Sequence, residues 1–146
     1  MLNIMKKIVS IHQPNYLPWI GFFHKILYSD TFVFLDSVQY TPKTFTNRSF
    51  ILQNGNSIRL TIPVSLNGWN SNINDVNIDT NTFSTKHLKS FEISYKKTRY
   101  FQDVMDIIYP PFKLGKTNLA NFNIILIKSI LKYLEIKINL VCLSKL

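Results

Sequence analysis

The sequence predicts an α/β protein: a mainly parallel, Rossmann-like sheet opening with a β-α-β unit, an inserted β-hairpin, and about three helices towards the C-terminus. Three observations carry this expectation. Residues 6–38 read strand, helix, strand within about 33 residues, the β-α-β signature, whose crossover is right-handed with parallel strands. Asn54-Gly55 separates two strand-like runs. After residue 83, three stretches follow the helical period, and a strand-like run at 137–143 closes the chain.

Residues 6–11 predict a buried strand. Residues 19–28 predict a helix, with apolar side chains at 19, 20, 22, 23, 26 and 27 and Pro18 where a missing N–H costs little. Ser29-Asp30 ends it, and the β-branched and aromatic run at 31–38 predicts the second strand. In "RSFILQNGNSIRLTIPV", Asn54-Gly55 favours a type I′ turn because both residues tolerate positive φ. Residues 65–82 form a polar, Asn-rich connection carrying Gly68 and Trp69, with a short strand at 76–79. A helix follows at 84–97 (Leu88, Phe91 and Tyr95 on one stripe, Glu92 four residues before Lys96). A second, at 98–108, is stopped by Pro110-Pro111. Thr117 or Asn118 caps a third, well buried helix running to Leu134.

A chain of 146 residues is expected to be one domain, and 46% apolar content supports a core. Net charge is +9, but 14 of the 17 basic residues are lysines, scattered along a chain rich in Lys, Asn and Ile. The basicity therefore points to phosphorylated or nucleotide ligands rather than to nucleic acid. The single cysteine, Cys142, forms no intrachain disulfide and reads as core. No zinc spacing, P-loop, G-x-G-x-x-G or G-x-S-x-G motif occurs, and no metal is expected. The N-terminus lacks signal-peptide features and no apolar run is long enough to span a membrane, so a cytoplasmic location is the expectation.

Two polar clusters follow the first two strands. "IHQPNYLPWIGFFHK", residues 11–25, sits where strand one hands over to a helix, the place where α/β proteins keep their sites. His12 at the strand end and His24 in the helix could reach one crevice as acid, base or phosphate donor. Gln13 and Asn15 can read hydroxyls or amides, Tyr16 and Trp19 can stack on a ring, and Gly21 can admit close backbone approach. The second cluster holds Asp36, Gln39, Tyr40, Lys43, Asn47 and Arg48. On a parallel pair, Asp36 and Gln39 face the crevice beside His12, with Lys43 and Arg48 suited to phosphate. Plainer roles exist for each: a stiff turn, a histidine bonded to a carbonyl, a turn-capping aspartate, a solvated arginine. His87 and Cys142 make no convincing nucleophile-base pair, and Asp103 with Asp106 share a helix face as surface carboxylates commonly do.

On "IHQPNYLPWIGFFHKI", "FVFLDSVQYTPKTFTNR", "IRLTIPV" and "STKHLKSFEISYKKTRYF", the chain resembles the WbqC-like protein family of bacteria over nearly its whole length. The resemblance implies an intracellular protein associated with O-antigen or other surface-polysaccharide gene clusters, without implying a defined reaction. Family members usually continue beyond the position of Leu146, so the resemblance implies a C-terminally shortened member. The position of His24 is often acidic in such relatives, which shifts weight to His12, Gln13, Asn15 and Tyr16. The strand, Pro-containing turn and helix-opening Gly and His are also similar to pantothenate synthetases, although Gly21-Phe22-Phe23-His24 does not match their H-x-G-H motif.

The expectation from residues and resemblance together is a transferase, acyl- or nucleotidyl-type, acting on a nucleotide-linked sugar in surface-polysaccharide synthesis. His12 and Asp36 are the catalytic pair. Gln13, Asn15, Tyr16, Trp19, Gly21, His24, Gln39, Lys43, Asn47 and Arg48 bind substrate. The alternatives are a non-catalytic module that binds the nucleotide sugar or a partner, and an inactive remnant. No cofactor is evident beyond the nucleotide or nucleotide sugar, and a homo-oligomer or a second chain could complete the site.

Overall fold

The computed structural model describes residues 6–66, 68, 70–79, 82–114 and 117–146; Trp69 lies outside them. Three parallel strands, β1 (Val9–His12), β2 (Thr31–Phe34) and β7 (Asn139–Cys142), form a sheet in the order β1-β2-β7. Val9 pairs with Thr31 and Thr31 with Asn139; His12 pairs with Phe34 and Phe34 with Cys142. All three strands thus end level, which places one common carboxyl edge. Helix α1 (Ile20–Leu27) makes the β1-to-β2 crossover. The hairpin β3 (Arg48–Gln53) and β4 (Asn56–Thr61) follows, with Asn54 at φ 50° and Gly55 at φ 78°, the two positive values a type I′ turn demands. A small antiparallel pair, β5 (Val64–Ser65) and β6 (Asn77–Ile78), leads to α2 (Thr82–Tyr95), α3 (Phe101–Lys113) and α4 (Leu119–Tyr133).

Several elements differ from the sequence expectation. Strand β1 is not buried: Val9 and Ile11 are more than half exposed, because β1 is the edge of the sheet. Strand β2 stops at Phe34, since Asp36 turns the chain away through its bonds to Ser144 and Asn74. Pro110 and Pro111 do not end α3 but lie inside it. They occupy its last turn, and burial of Ile108, Pro111 and Phe112 outweighs the two missing N–H groups. The α4 cap, by contrast, is one of the two residues expected: Asn118, whose side-chain oxygen accepts from the Asn121 N–H at 2.8 Å.

Helix α4 is shared by two apolar clusters. Ile124, Ile127 and Leu131 pack with Phe22, Ile26, Phe32 and Phe34, so α1 and α4 cover one face of the sheet. Leu119, Phe122 and Leu126 pack with the hairpin residues Ile51 and Leu60 and with Phe83, Phe91 and Phe112 of α2 and α3. Between the two clusters lies Asn123, fully buried. Its Nδ2 donates to the carbonyls of Pro14 (2.9 Å) and Thr46 (2.7 Å), joining the segments after β1 and before β3 to one helix.

Replacing Asn123 leaves two buried carbonyls without donors, at roughly 1–3 kcal/mol each. Asn123→Leu, which keeps the volume, should therefore lower stability by about 2–6 kcal/mol, read as the urea midpoint at unchanged slope. A Leu variant as stable as the parent would show that these bonds contribute nothing.

Candidate functional site

His12 closes β1 at the carboxyl edge, half-buried. Its ring meets Trp19 (centroids 5.7 Å apart) and Phe22 (5.2 Å), both edge-on. His12 Nδ1 lies 3.0 Å from the Gln13 carbonyl, which can only accept, so Nδ1 donates and Nε2 is the nitrogen left for a substrate. From His12 a row of rings runs outward. Trp19 packs on Phe45 at 5.6 Å, and Phe45 on Phe50 at 6.4 Å. Trp19, Phe45 and Phe50 are each about half exposed. At Gly21 a Cβ would sit 2.9 Å from the Trp19 indole nitrogen, so a larger residue there would shift the half-exposed Trp19 ring.

The far end of this row is cationic. Lys43, Arg48 and Arg59 surround Phe45 and Phe50 at a shallow depression. Arg48 Nε is buried with no hydrogen-bond partner, an uncommon state for a guanidinium donor. Lys43 adopts φ 66°, a conformation that favours glycine, yet carries a long cationic side chain there. Arg48 also acts on Tyr40, whose hydroxyl is pushed up by burial and pulled back by the arginine charge.

The remaining candidates sit elsewhere. Tyr16 is fully buried, and its hydroxyl donates to His87 Nδ1 at 2.8 Å, so its ring faces the core rather than a ligand. Leu17 directs this split: at φ 42° it turns Tyr16 inward, while Trp19 emerges at the surface. His24 does not share a crevice with His12. Phe22 and Ile26 are the inward positions of α1, and His24 lies about 200° round from Phe22, exposed and against Tyr28. Asn47 is a clamp: its Nδ2 donates to the Ile62 carbonyl at 3.0 Å and its own carbonyl accepts from Ile62 N–H at 2.9 Å. Gln39 bridges to Asn72 and donates to Asn70 Oδ1, so its polar groups are engaged within the chain. Asn15 is buried beside Pro14, and Gln13 is half-buried next to His12.

Asp36 does not stand beside His12. It lies on the β7 side of the sheet, where one carboxylate oxygen accepts from Ser144 N–H (2.9 Å) and the other from Ser144 Oγ (2.5 Å). Its neighbours are Asn74, Asn118, Lys128, Cys142 and Lys145, which line a polar crevice with a volume of about 360 Å³. The Cys142 thiol is pushed up by burial and then by the Asp36 charge, partly offset by Lys128 and Lys145, so it stays protonated and is no nucleophile. Sequence reasoning missed Phe45, Phe50 and Arg59. Alternation along β3 and β4 was the available signal, because Phe50 and Arg59 pair across the hairpin. Among the described residues no group of three or more His, Cys, Asp or Glu is placed to hold a metal ion, and no helix is long and apolar enough to cross a membrane.

These features define an α/β protein with an aromatic and cationic row leading away from a histidine at the carboxyl edge of a parallel sheet. The chain belongs to the WbqC-like protein family, whose model matches residues 13–146. It is similar to an uncharacterized protein, Rv1507c, of Mycobacterium tuberculosis, 33% identical over 138 residues, which cover 93% of this chain and 59% of that relative. No solved structure matches.

Burial also holds His87 neutral. Its pKa falls to about 4, chiefly by desolvation, against a smaller raising effect of a backbone bond at Thr61. The unfolded chain titrates this histidine near 6.5, so its share of stability is complete above that value and is lost as pH falls towards 4. The loss between pH 7 and pH 5 should be about 2 kcal/mol. Denaturant titrations at both pH values should show this slope in the parent and not in His87→Phe; equal slopes would contradict it.

Proposed function

We propose that the protein binds a nucleotide-linked sugar along the row from His12 to Phe50 and acts on it as a transferase in bacterial surface-polysaccharide synthesis. The observation that carries this reading is the buried, unpartnered Arg48 Nε between exposed rings and two further cations. Rings take the flat face of a base or the apolar face of a sugar, and an arginine fork takes a phosphate. In this reading the base stacks on Phe45 and Phe50, the diphosphate meets Lys43, Arg48 and Arg59, and the sugar reaches Trp19 and His12. In the acyl-transfer form a sugar hydroxyl attacks the acyl carbon of an acyl donor, Nε2 of His12 accepts the hydroxyl proton, and the bond from the acyl carbon to the donor's leaving group breaks, the leaving group departing with the electron pair. Family membership supports the setting. Cytoplasmic location fits a nucleotide-linked donor.

A non-catalytic binding module is the second reading, favoured by one observation. Asp36 is committed to Ser144, so among the described residues His12 has no carboxylate to orient it. Calorimetry against a panel of nucleotide sugars, with mass spectrometry for products, separates the two. The transferase reading expects Arg48→Ala to weaken binding about tenfold or more. It expects His12→Ala to leave affinity within about twofold while lowering turnover about a hundredfold. Binding without product supports the module, and unchanged affinity in Arg48→Ala overturns the placement of the phosphates.

A further inference from the structure

We propose that the cavity enclosed by α2, α3 and α4 binds an anionic amphiphile: a single alkyl or acyl chain ending in a phosphate or carboxylate. The cavity has a volume of about 510 Å³, within the range of small-molecule sites and far above the voids of a packed interior. Its walls are almost wholly apolar, with Leu17, Phe91, Ile108 and Ile130 among them. Tyr100, Val104, Tyr133 and Leu134 also line it, each about half exposed, so the apolar lining continues to the surface.

Charge identifies the occupant. Arg99 is the one ionised side chain on the wall among the described residues, and its guanidinium sits 5.1 Å from the Tyr100 ring centroid. The nearby carboxylates do not cancel this. Glu92 is paired with Lys89 at 3.0 Å, and none of Asp103, Asp106 and Glu135 lines the cavity. An apolar pocket with one guanidinium on its wall complements a chain with an anionic head. Neither the hairpin cations nor His12 lines this cavity, so the proposal stands apart from the nucleotide-sugar reading.

The test is calorimetry with dodecyl phosphate below its micellar concentration, with laurate, dodecanol and inorganic phosphate as comparisons. The expected result is saturable one-to-one binding of dodecyl phosphate and laurate, with no competition from inorganic phosphate. Val104→Trp, which fills the cavity from its mouth, should weaken binding at least tenfold. Arg99→Ala should weaken dodecyl phosphate about fivefold or more and leave dodecanol unchanged. Circular dichroism melts check folding, and Leu134→Trp replaces Val104→Trp if the latter does not fold. No saturable binding, unaltered affinity in a folded cavity-filling variant, or equal binding of phosphate alone overturns the proposal. So does a dimer that Val104→Trp converts to monomer, because the cavity would then receive a second copy.

Discussion

The fold depends on one buried amide. Asn123 sits on α4 between the two apolar clusters and holds the carbonyls of Pro14 and Thr46 from within. Those carbonyls belong to segments that leave the sheet in different directions, one after β1 and one approaching the hairpin. Apolar packing alone is non-directional and would tolerate sliding between them. Two short bonds from one rigid side chain fix their separation, and the Tyr16 N–H bond to the Phe45 carbonyl at 2.9 Å completes the seam. The row of Trp19, Phe45 and Phe50 forms because that seam places β1's exit beside the hairpin's entry.

Local strain is distributed along the same seam. Leu17 and Lys43 both adopt positive φ without being glycine, each at a cost of about 1–2 kcal/mol. Leu17 divides the opening motif into an inward half, ending at the buried Tyr16–His87 bond, and an outward half beginning at Trp19. Lys43 carries a cation to the end of the aromatic row. A chain selected for stability alone would place glycine or asparagine at such positions.

Much of the architecture was legible because it rests on local rules. The β-α-β unit, the Asn54-Gly55 turn and the Asn118 cap follow from periodicity and backbone preference. Pro110-Pro111 misled because burial of Pro111 and Phe112 is a tertiary effect that a local rule cannot see. The candidate site was half legible for the same reason. His12, Trp19, Lys43 and Arg48 declare themselves by position, but Phe45, Phe50 and Arg59 join them only through a cross-strand pair and the Asn123 seam. Asp36 looked like a partner for His12 because both follow neighbouring strands. The strand order β1-β2-β7 instead gives Asp36 to the β7 side, where Ser144 claims both carboxylate oxygens. Composition likewise suggested a buried first strand, whereas β1 is an edge with Ile8, Val9 and Ile11 exposed.

The most direct measurement is a crystal structure of the protein soaked with a uridine diphosphate sugar. The base should lie on Phe45 or Phe50, with a phosphate oxygen within hydrogen-bond reach of Arg48 Nε and the sugar against Trp19 and His12. A ligand bound instead among Asp36, Asn74 and Lys128, with Arg48 Nε still unpartnered, would contradict the account.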